Sequence, residues 1–297
     1  MRFLVVAVAL LLGSCTLFRP PPPPLKADVH YVLERPYQIG SIWYYPHAEY
    51  SVDETGLAAI APDRRGLTAD GEIFDQAVLA AGNRTLQLPV IARVTNLENG
   101  RQIVLRINDR GPTQPSRVLS VTKRAAELLE LRDGTRIRVQ MLDAETRQLA
   151  VELQSDGGAL SLEKAPVKAI ESEQLAPPSG ASQSQRVRSA SSAPVVAARP
   201  AVATAPVPLR MPEVVTAVPP RPGRLYIAAG DFSRQDYAFI LVNRLSFLGA
   251  RLTTSYDAPR DRAFQIRIGP FDTVAEAEAV LARTISAGVN DATIVVE

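Results

Sequence analysis

The chain has 297 residues, 46% hydrophobic and 22% charged, with 33 Lys and Arg against 31 Asp and Glu. That near-balance argues against a nucleic-acid partner, which calls for a concentrated basic surplus. A single Cys excludes an internal disulfide and a cysteine-built zinc site. The two His, His30 and His47, fall outside the segments that read as domains, so a histidine metal cluster or a histidine-activated nucleophile has no parts. No metal and no cofactor is expected, and any chemistry falls to carboxylates.

In chain order, residues 1–15 read as a secretory signal: Arg2, an apolar run from Phe3 to Leu12, then Gly13-Ser14-Cys15. The run is too short to span a bilayer. Leu12-Gly13-Ser14-Cys15 resembles a bacterial lipobox, which implies lipidation at Cys15 and a mature chain starting there. Thr16 is not the Asp that favours inner-membrane retention, so the expected location is the cell envelope, anchored by lipid to a membrane (outer rather than inner) and facing the periplasm. Residues 16–51 follow as a proline-rich spacer, beginning with Pro20 to Pro24, and a lead-in segment.

Residues 52–154 have the composition of a compact β domain, with turn signals at Asp70-Gly71, Asn99-Gly100, Gly111-Pro112 and Asp133-Gly134. Residues 90–94, 103–107 and 137–141 alternate apolar and polar at period two, as half-buried strands do. One helix is predicted over 122–131, with Ala125, Leu128 and Leu129 on a stripe. Many short strands in about 100 residues suggest a small barrel. Its acidic and basic residues balance, which suits a neutral ligand such as a sugar better than a polyanion.

Residues 155–221 read as a disordered Ala/Pro/Ser linker without aromatics, spanning ~45 Å on average as a coil. Residues 222–297 hold an internal echo. Leu225 to Phe232 returns as Phe264 to Phe271, offset by 39 residues at both Gly230/Gly269 and Phe232/Phe271. Each copy is a strand running into a helix. Ser233 is the predicted cap of the first, with a stripe of Tyr237, Ile240, Leu241, Leu245 and Leu248. Thr273 and Glu276 form a capping box for the second, with Ala277, Val280 and Leu281 inside. With a last strand over 292–296 the pattern is βαββαβ, an α+β ferredoxin-like unit with one open sheet face.

The C-terminal echo resembles a sporulation-related repeat (SPOR) domain, through the Gly-x-Phe ending of both strands. The central region resembles the double-psi β-barrel of the rare lipoprotein A (RlpA) family. The resemblance rests on Thr68-Ala69-Asp70-Gly71-Glu72-x-Phe74-Asp75, Thr85-Leu86, Leu88-Pro89, Arg93-Val94-Thr95-Asn96-Leu97-x-Asn99-Gly100 and Asn108-Asp109-Arg110-Gly111-Pro112. Lipobox, barrel, linker and SPOR unit occur in the family's order. The resemblance implies an endolytic lytic transglycosylase, a lyase acting on peptidoglycan glycan strands lacking stem peptides, in cell-wall remodelling and daughter-cell separation. It implies that the SPOR unit binds those strands, through Gln265 and Arg267 here, and concentrates the protein at the division septum beside divisome proteins. Glu72 and Asp109 fall on the family's catalytic Glu and Asp, with Asn83, Asn108, Arg110 and Ser120 as supporting residues. A glycosidic bond needs an acid at the leaving oxygen, and when the muramic acid's own hydroxyl then attacks, the same carboxyl can take that proton back.

Three departures bear on activity. The family's His is Asn83, which hydrogen-bonds but does not titrate. Its aromatic entrance reads Ala58-Ala59-Ile60-Ala61-Pro62, and an Asp is replaced by Ser120. Two readings stay open: an altered enzyme, or a non-catalytic peptidoglycan-binding envelope lipoprotein. An expansin-like wall loosener that separates glycans without cutting also fits the retained Asp109.

Overall fold

The computed structural model describes residues 24–33, 35–156, 210–254 and 264–297. Cys15 with its signal, and residues 157–209 of the expected linker, lie outside the described residues.

The lead-in forms a hairpin, β1 (Tyr37–Ile39) and β2 (Ile42–Tyr44). The barrel strands follow: β3 (Asp53–Ile60), β4 (Ala80–Gly82), β5 (Val90–Asn96), β6 (Arg101–Asp109), β7 (Leu119–Val121) and β8 (Arg136–Met141). They order as β4-β7-β3-β8-β5-β6, and a β4–β6 pairing closes the barrel. The β3–β7 and β4–β6 pairs are parallel and the other barrel pairs antiparallel. A closed six-strand barrel of this kind is consistent with a double-psi β-barrel. Its core includes Ala58, Leu88, Val94, Leu105, Ile107 and Ile137.

Two helices flank the barrel. The expected one, α1 (Lys123–Leu129), starts where the Thr122 side chain accepts from the Ala125 N–H, and it buries Ala125, Ala126 and Leu129. The second, α2 (Asp143–Asp156), opens with Asp143 and Glu145 in its first turn, a charge placement that suits a helix N-terminus. The buried Thr146 hydroxyl of α2 exchanges hydrogen bonds with Ile91. This contact explains why β5 is almost wholly buried while β8 alternates: the sequence pattern expected both to alternate, but α2 lies over β5.

Residues 24–33 and the lead-in, which the sequence placed outside the domains, belong to the barrel's surface. The Asp28 and His30 N–H groups donate to Gly71 and Asp70, Val32 bridges Leu88, and His47 bridges Leu86. The end of the expected linker is ordered too. There β9 (Thr216–Ala217) pairs with β6, Arg124 pairs with Glu213, and the Val218 and Arg221 N–H groups donate to Gly100 and Leu97. The reading of 155–221 as disordered throughout is corrected at residues 155–156, which end α2, and over 210–221. Backbone hydrogen bonds, the Arg124–Glu213 pair and partial packing of Met211 and Val215 against the barrel core hold the latter segment.

The C-terminal unit is β10 (Leu225–Phe232), α3 (Gln235–Arg244), a 3-10 turn (Ser246–Leu248), β11 (Arg251–Thr254), β12 (Phe264–Phe271), α4 (Val274–Ser286) and β13 (Thr293–Val296). Its antiparallel sheet runs β11-β12-β10-β13, the order that βαββαβ predicts. The repeat has a physical cause. Gly230 and Gly269 both sit at φ +126, and a Cβ on either would come within 3.1–3.2 Å of the Phe ring two residues later. Each glycine lets that ring fold back over its own strand.

Two expectations about helix detail fail and one holds. Thr273 caps α4 through the Glu276 N–H, as expected. The N-cap of α3 is Arg234, with no side-chain cap, rather than Ser233. Its inner face carries Ala238, Leu241 and Leu245, whereas Tyr237 and Ile240 stand 53% and 60% exposed.

The two sheets meet directly. Leu57 points away from the barrel core and Leu97 lies beyond the end of β5, yet both are buried among Leu225, Ile227, Ile294 and Val296 of the C-terminal unit. The Thr55 hydroxyl donates to the Val296 carbonyl at 2.7 Å and accepts from its N–H at 2.9 Å. The buried Arg117 pairs with both Asp133 and Glu278. Packing thus joins the units that the sequence portrayed as separated by a tether.

Candidate functional site

The site forms where the end of β6 meets the turn at residues 67–73, a loop pinned by a Leu67–Ile73 bridge. Gly71 stands at φ +89, and a Cβ there would lie 1.9 Å from the Asp28 carbonyl, so the lead-in requires this glycine. The register of β4 on β6 shifts here, setting Ala81 opposite Ile107 and Gly82 opposite Asp109. Such a bulge re-aims side chains, and neighbouring Asn108 and Asp109 meet different partners.

On one side, Glu72 is only 5% exposed. Arg106 forms an ion pair with it, and the Asn108 amide donates to its Oε2 at 2.9 Å. Asp70 is fully buried beside it and accepts the Thr68 hydroxyl at 2.6 Å. Burial first, and the neighbouring Glu72 carboxylate second, push the Asp70 carboxyl up to about 7. A cleft of about 310 Å³ reaches Glu72, with Val29, Arg106 and Arg210 among its walls.

On the other side, Asp109 accepts from the Ala69 and Arg110 N–H groups and is ion-paired with Arg64. Its side chain remains 19% exposed. It lines a separate groove of about 460 Å³ with Ile60, Pro62, Arg64, Phe74 and Ser120. The Arg64 guanidinium lies 4.6 Å over the Phe74 ring. The two candidate carboxylates therefore share a strand end but line different cavities. Asp109 is the one a ligand in the larger groove meets directly. A carboxylate so placed can exchange a proton with a ligand or stabilise a developing positive charge.

The supporting residues divide. Asn108 holds Glu72 and Ser120 lines the Asp109 groove. Asn83 is buried and spent on backbone: its Oδ1 accepts from Thr85 and Leu86 N–H and its Nδ2 donates to Val118 O. Arg110 turns to the same loop and donates to the Leu86 and Asn83 carbonyls. Sequence reasoning missed Arg64, Arg106 and Asp70. Alternation along β6 placed Arg106 on the Asn108 face and was a usable signal; nothing local marks Arg64.

In the C-terminal sheet, Gln265 and Arg267 share the face away from Ile266 and Ile268, as period two requires. Arg267 is committed there, donating to Glu297 and Gln265 and standing 3.7 Å from Asp231.

Residues 53–141 match a family model described as lytic transglycolase, DPBB_1. Similar proteins carry the name endolytic peptidoglycan transglycosylase RlpA. That of Rickettsia felis is 34% identical over 126 residues, covering 40% of this chain and 55% of the relative. Those of Salmonella typhimurium and Escherichia coli K12 are each 49% identical over 88 residues, covering 29% of this chain and 23% and 24% of the relatives. The chain thus spans about half, or less, of the length of these relatives.

Proposed function

We propose, from the match of residues 53–141 to a lytic transglycolase family model and the likeness to relatives named endolytic peptidoglycan transglycosylase RlpA, that this chain is an endolytic peptidoglycan transglycosylase acting on glycan strands lacking stem peptides. One observation carries the proposal. The Asp109 carboxylate, paired with Arg64, lines a groove of about 460 Å³, with Glu72 buried behind the same strand end. In this mechanism a glycan strand lies in the groove and Asp109 acts at the scissile bond. Glu72, fixed by Arg106 and Asn108, sets the charge behind the 67–73 turn. Asp109 gives a proton to the leaving glycosidic oxygen, and the muramic acid's own primary hydroxyl forms the new C–O bond at the anomeric carbon and returns its proton to the carboxylate, so the glycosidic bond ends as an anhydro sugar without bound water. The βαββαβ unit acts as a SPOR-type glycan-binding module, and a lipid at Cys15 anchors the chain in the envelope, enriched at the septum.

The test is digestion of amidase-treated sacculi, with anhydromuramyl products read by mass spectrometry. Asp109→Asn keeps size and hydrogen bonding while removing the charge and the exchangeable proton. It lowers product formation by ~10²–10⁴-fold without a large change in melting temperature. Glu72→Gln loses activity to the same degree if Glu72 also takes part in proton transfer, and loses less if its role is to hold the turn. Sacculi bound but not cut by the wild type would replace the enzyme with a binding module. The Arg64–Asp109 pair favours that second reading, because it occupies the carboxylate when no ligand is present.

A further inference from the structure

A third cavity, of about 330 Å³, lies away from both the Glu72 cleft and the Asp109 groove, where three parts of the chain converge. The lead-in contributes Trp43 and Tyr45, the barrel Glu54 and Arg84, and the C-terminal unit Asp291 and Thr293. Trp43 and Tyr45 are 52% and 63% exposed. A Trp and a Tyr left open side by side beside polar groups are costly to leave unused, because aromatic rings usually bury most of their area.

The polar half of the cleft is charged. Glu54 is half-buried in the wall of the cleft, with the Arg84 guanidinium and the Glu49 carboxylate both acting on it. Burial pushes the Glu54 carboxyl up to about 7, against the pull of Arg84. At neutral pH it can therefore either donate or accept a hydrogen bond. Asp291 is exposed on the rim. Thr293 lies opposite Ala228 in β13, and Ala228 lies opposite Arg267 in β12. The cleft is thus continuous with the open face of the sheet that carries Gln265 and Arg267.

Flat aromatic faces beside carboxyl and guanidinium groups match a pyranose, which presents C–H bonds on its ring face and hydroxyl or acetamido groups at its edge. Two carboxyls against one guanidinium disfavour a densely charged polyanion such as a nucleic acid. We propose that this cleft is a glycan subsite, built jointly by the lead-in hairpin, the barrel and the C-terminal unit, that grips an N-acetylated hexosamine chain leaving the open sheet face. The proposal rests on the peptidoglycan-directed reading of the chain and adds to it a second contact zone, one that exists only when the two units are packed together.

Trp43 is the only tryptophan in the chain, so its fluorescence reports on this cleft alone. Full-length protein is titrated with soluble N-acetylglucosamine oligomers and with peptide-free glycan fragments, while calorimetry records total binding. The expected result is a saturable change in Trp43 emission with the same midpoint as the calorimetric curve. Glu54→Gln and the exposed Tyr45→Ala each weaken binding roughly tenfold, and Asp291→Asn on the C-terminal side weakens it by a smaller factor. Calorimetric binding with a silent Trp43, and with Tyr45→Ala unchanged, overturns the subsite while leaving the glycan-directed function standing. Binding of neither ligand by either readout, together with intact sacculi, overturns both.

Discussion

At the residue scale, the site is organised by which charges are buried. Arg106 and Glu72 are both almost fully enclosed, and removing one partner of such a pair strands the other. Arg106→Leu is expected to destabilise the fold by about 3–5 kcal/mol, read by urea denaturation, and Glu72→Gln in the same background recovers part of the loss. Asp70 makes stability depend on pH. Its folded carboxyl titrates near 7, against an ordinary value near 3.8. The native state therefore holds a proton that the unfolded chain has already released. That contribution is complete below pH ~4 and is lost as pH rises through about 7; Glu54, raised to about 7 as well, acts in the same direction. Melting scans across this range show the fall, and Asp70→Asn flattens it by on the order of 1–3 kcal/mol. A slope left unchanged by Asp70→Asn would place the linkage elsewhere.

At the scale of elements, the C-terminal repeat ties sequence to backbone geometry most closely. Gly230 and Gly269 share one positive φ and one use, so their substitutions should behave alike. Gly230→Ala and Gly269→Ala each cost about 1–3 kcal/mol, because a side chain at that φ is strained and its Cβ crowds the folded-back Phe ring. Chemical denaturation of each variant measures the cost, and sharply unequal costs would mean that the shared conformation is not what the repeat preserves. The α3 stripe shows the opposite case. Tyr237 and Ile240 match helical spacing but stay exposed, because the helix rests its other face, through Ala238 and Leu241, on the sheet.

At the scale of the whole molecule, Leu57 and Leu97 decide whether the chain acts as two bodies or one. Both belong to the barrel segment and both are buried in the C-terminal core. Leu57→Asp buries a charge at that junction without touching the barrel core. The wild type is expected to melt in one transition by near-UV circular dichroism and by calorimetry. The variant is expected to separate that transition into two, or to lower it by several degrees. An unchanged single transition would mean that the units are stable without the junction.

Much of this architecture was legible in the sequence alone. Period-two runs placed β5, β6 and β8, the 39-residue echo defined βαββαβ, and Thr273 marked a helix start, because these signals act over a few residues and depend on backbone geometry. The likeness to the barrel family was legible through the motifs at Asp70 to Phe74 and Asn108 to Pro112, which carry the turn chemistry of the site. Only the tertiary structure decided the rest. It brought Arg64 to Asp109 and Arg106 to Glu72, divided the two carboxylates between separate cavities, and laid residues 24–33 and 210–221 onto the barrel. It also closed the cleft at Trp43 and sealed Leu57 into a second core. These are contacts between residues far apart in the chain. Their energies depend on which surfaces exclude water together, and no local pattern of residues carries that information.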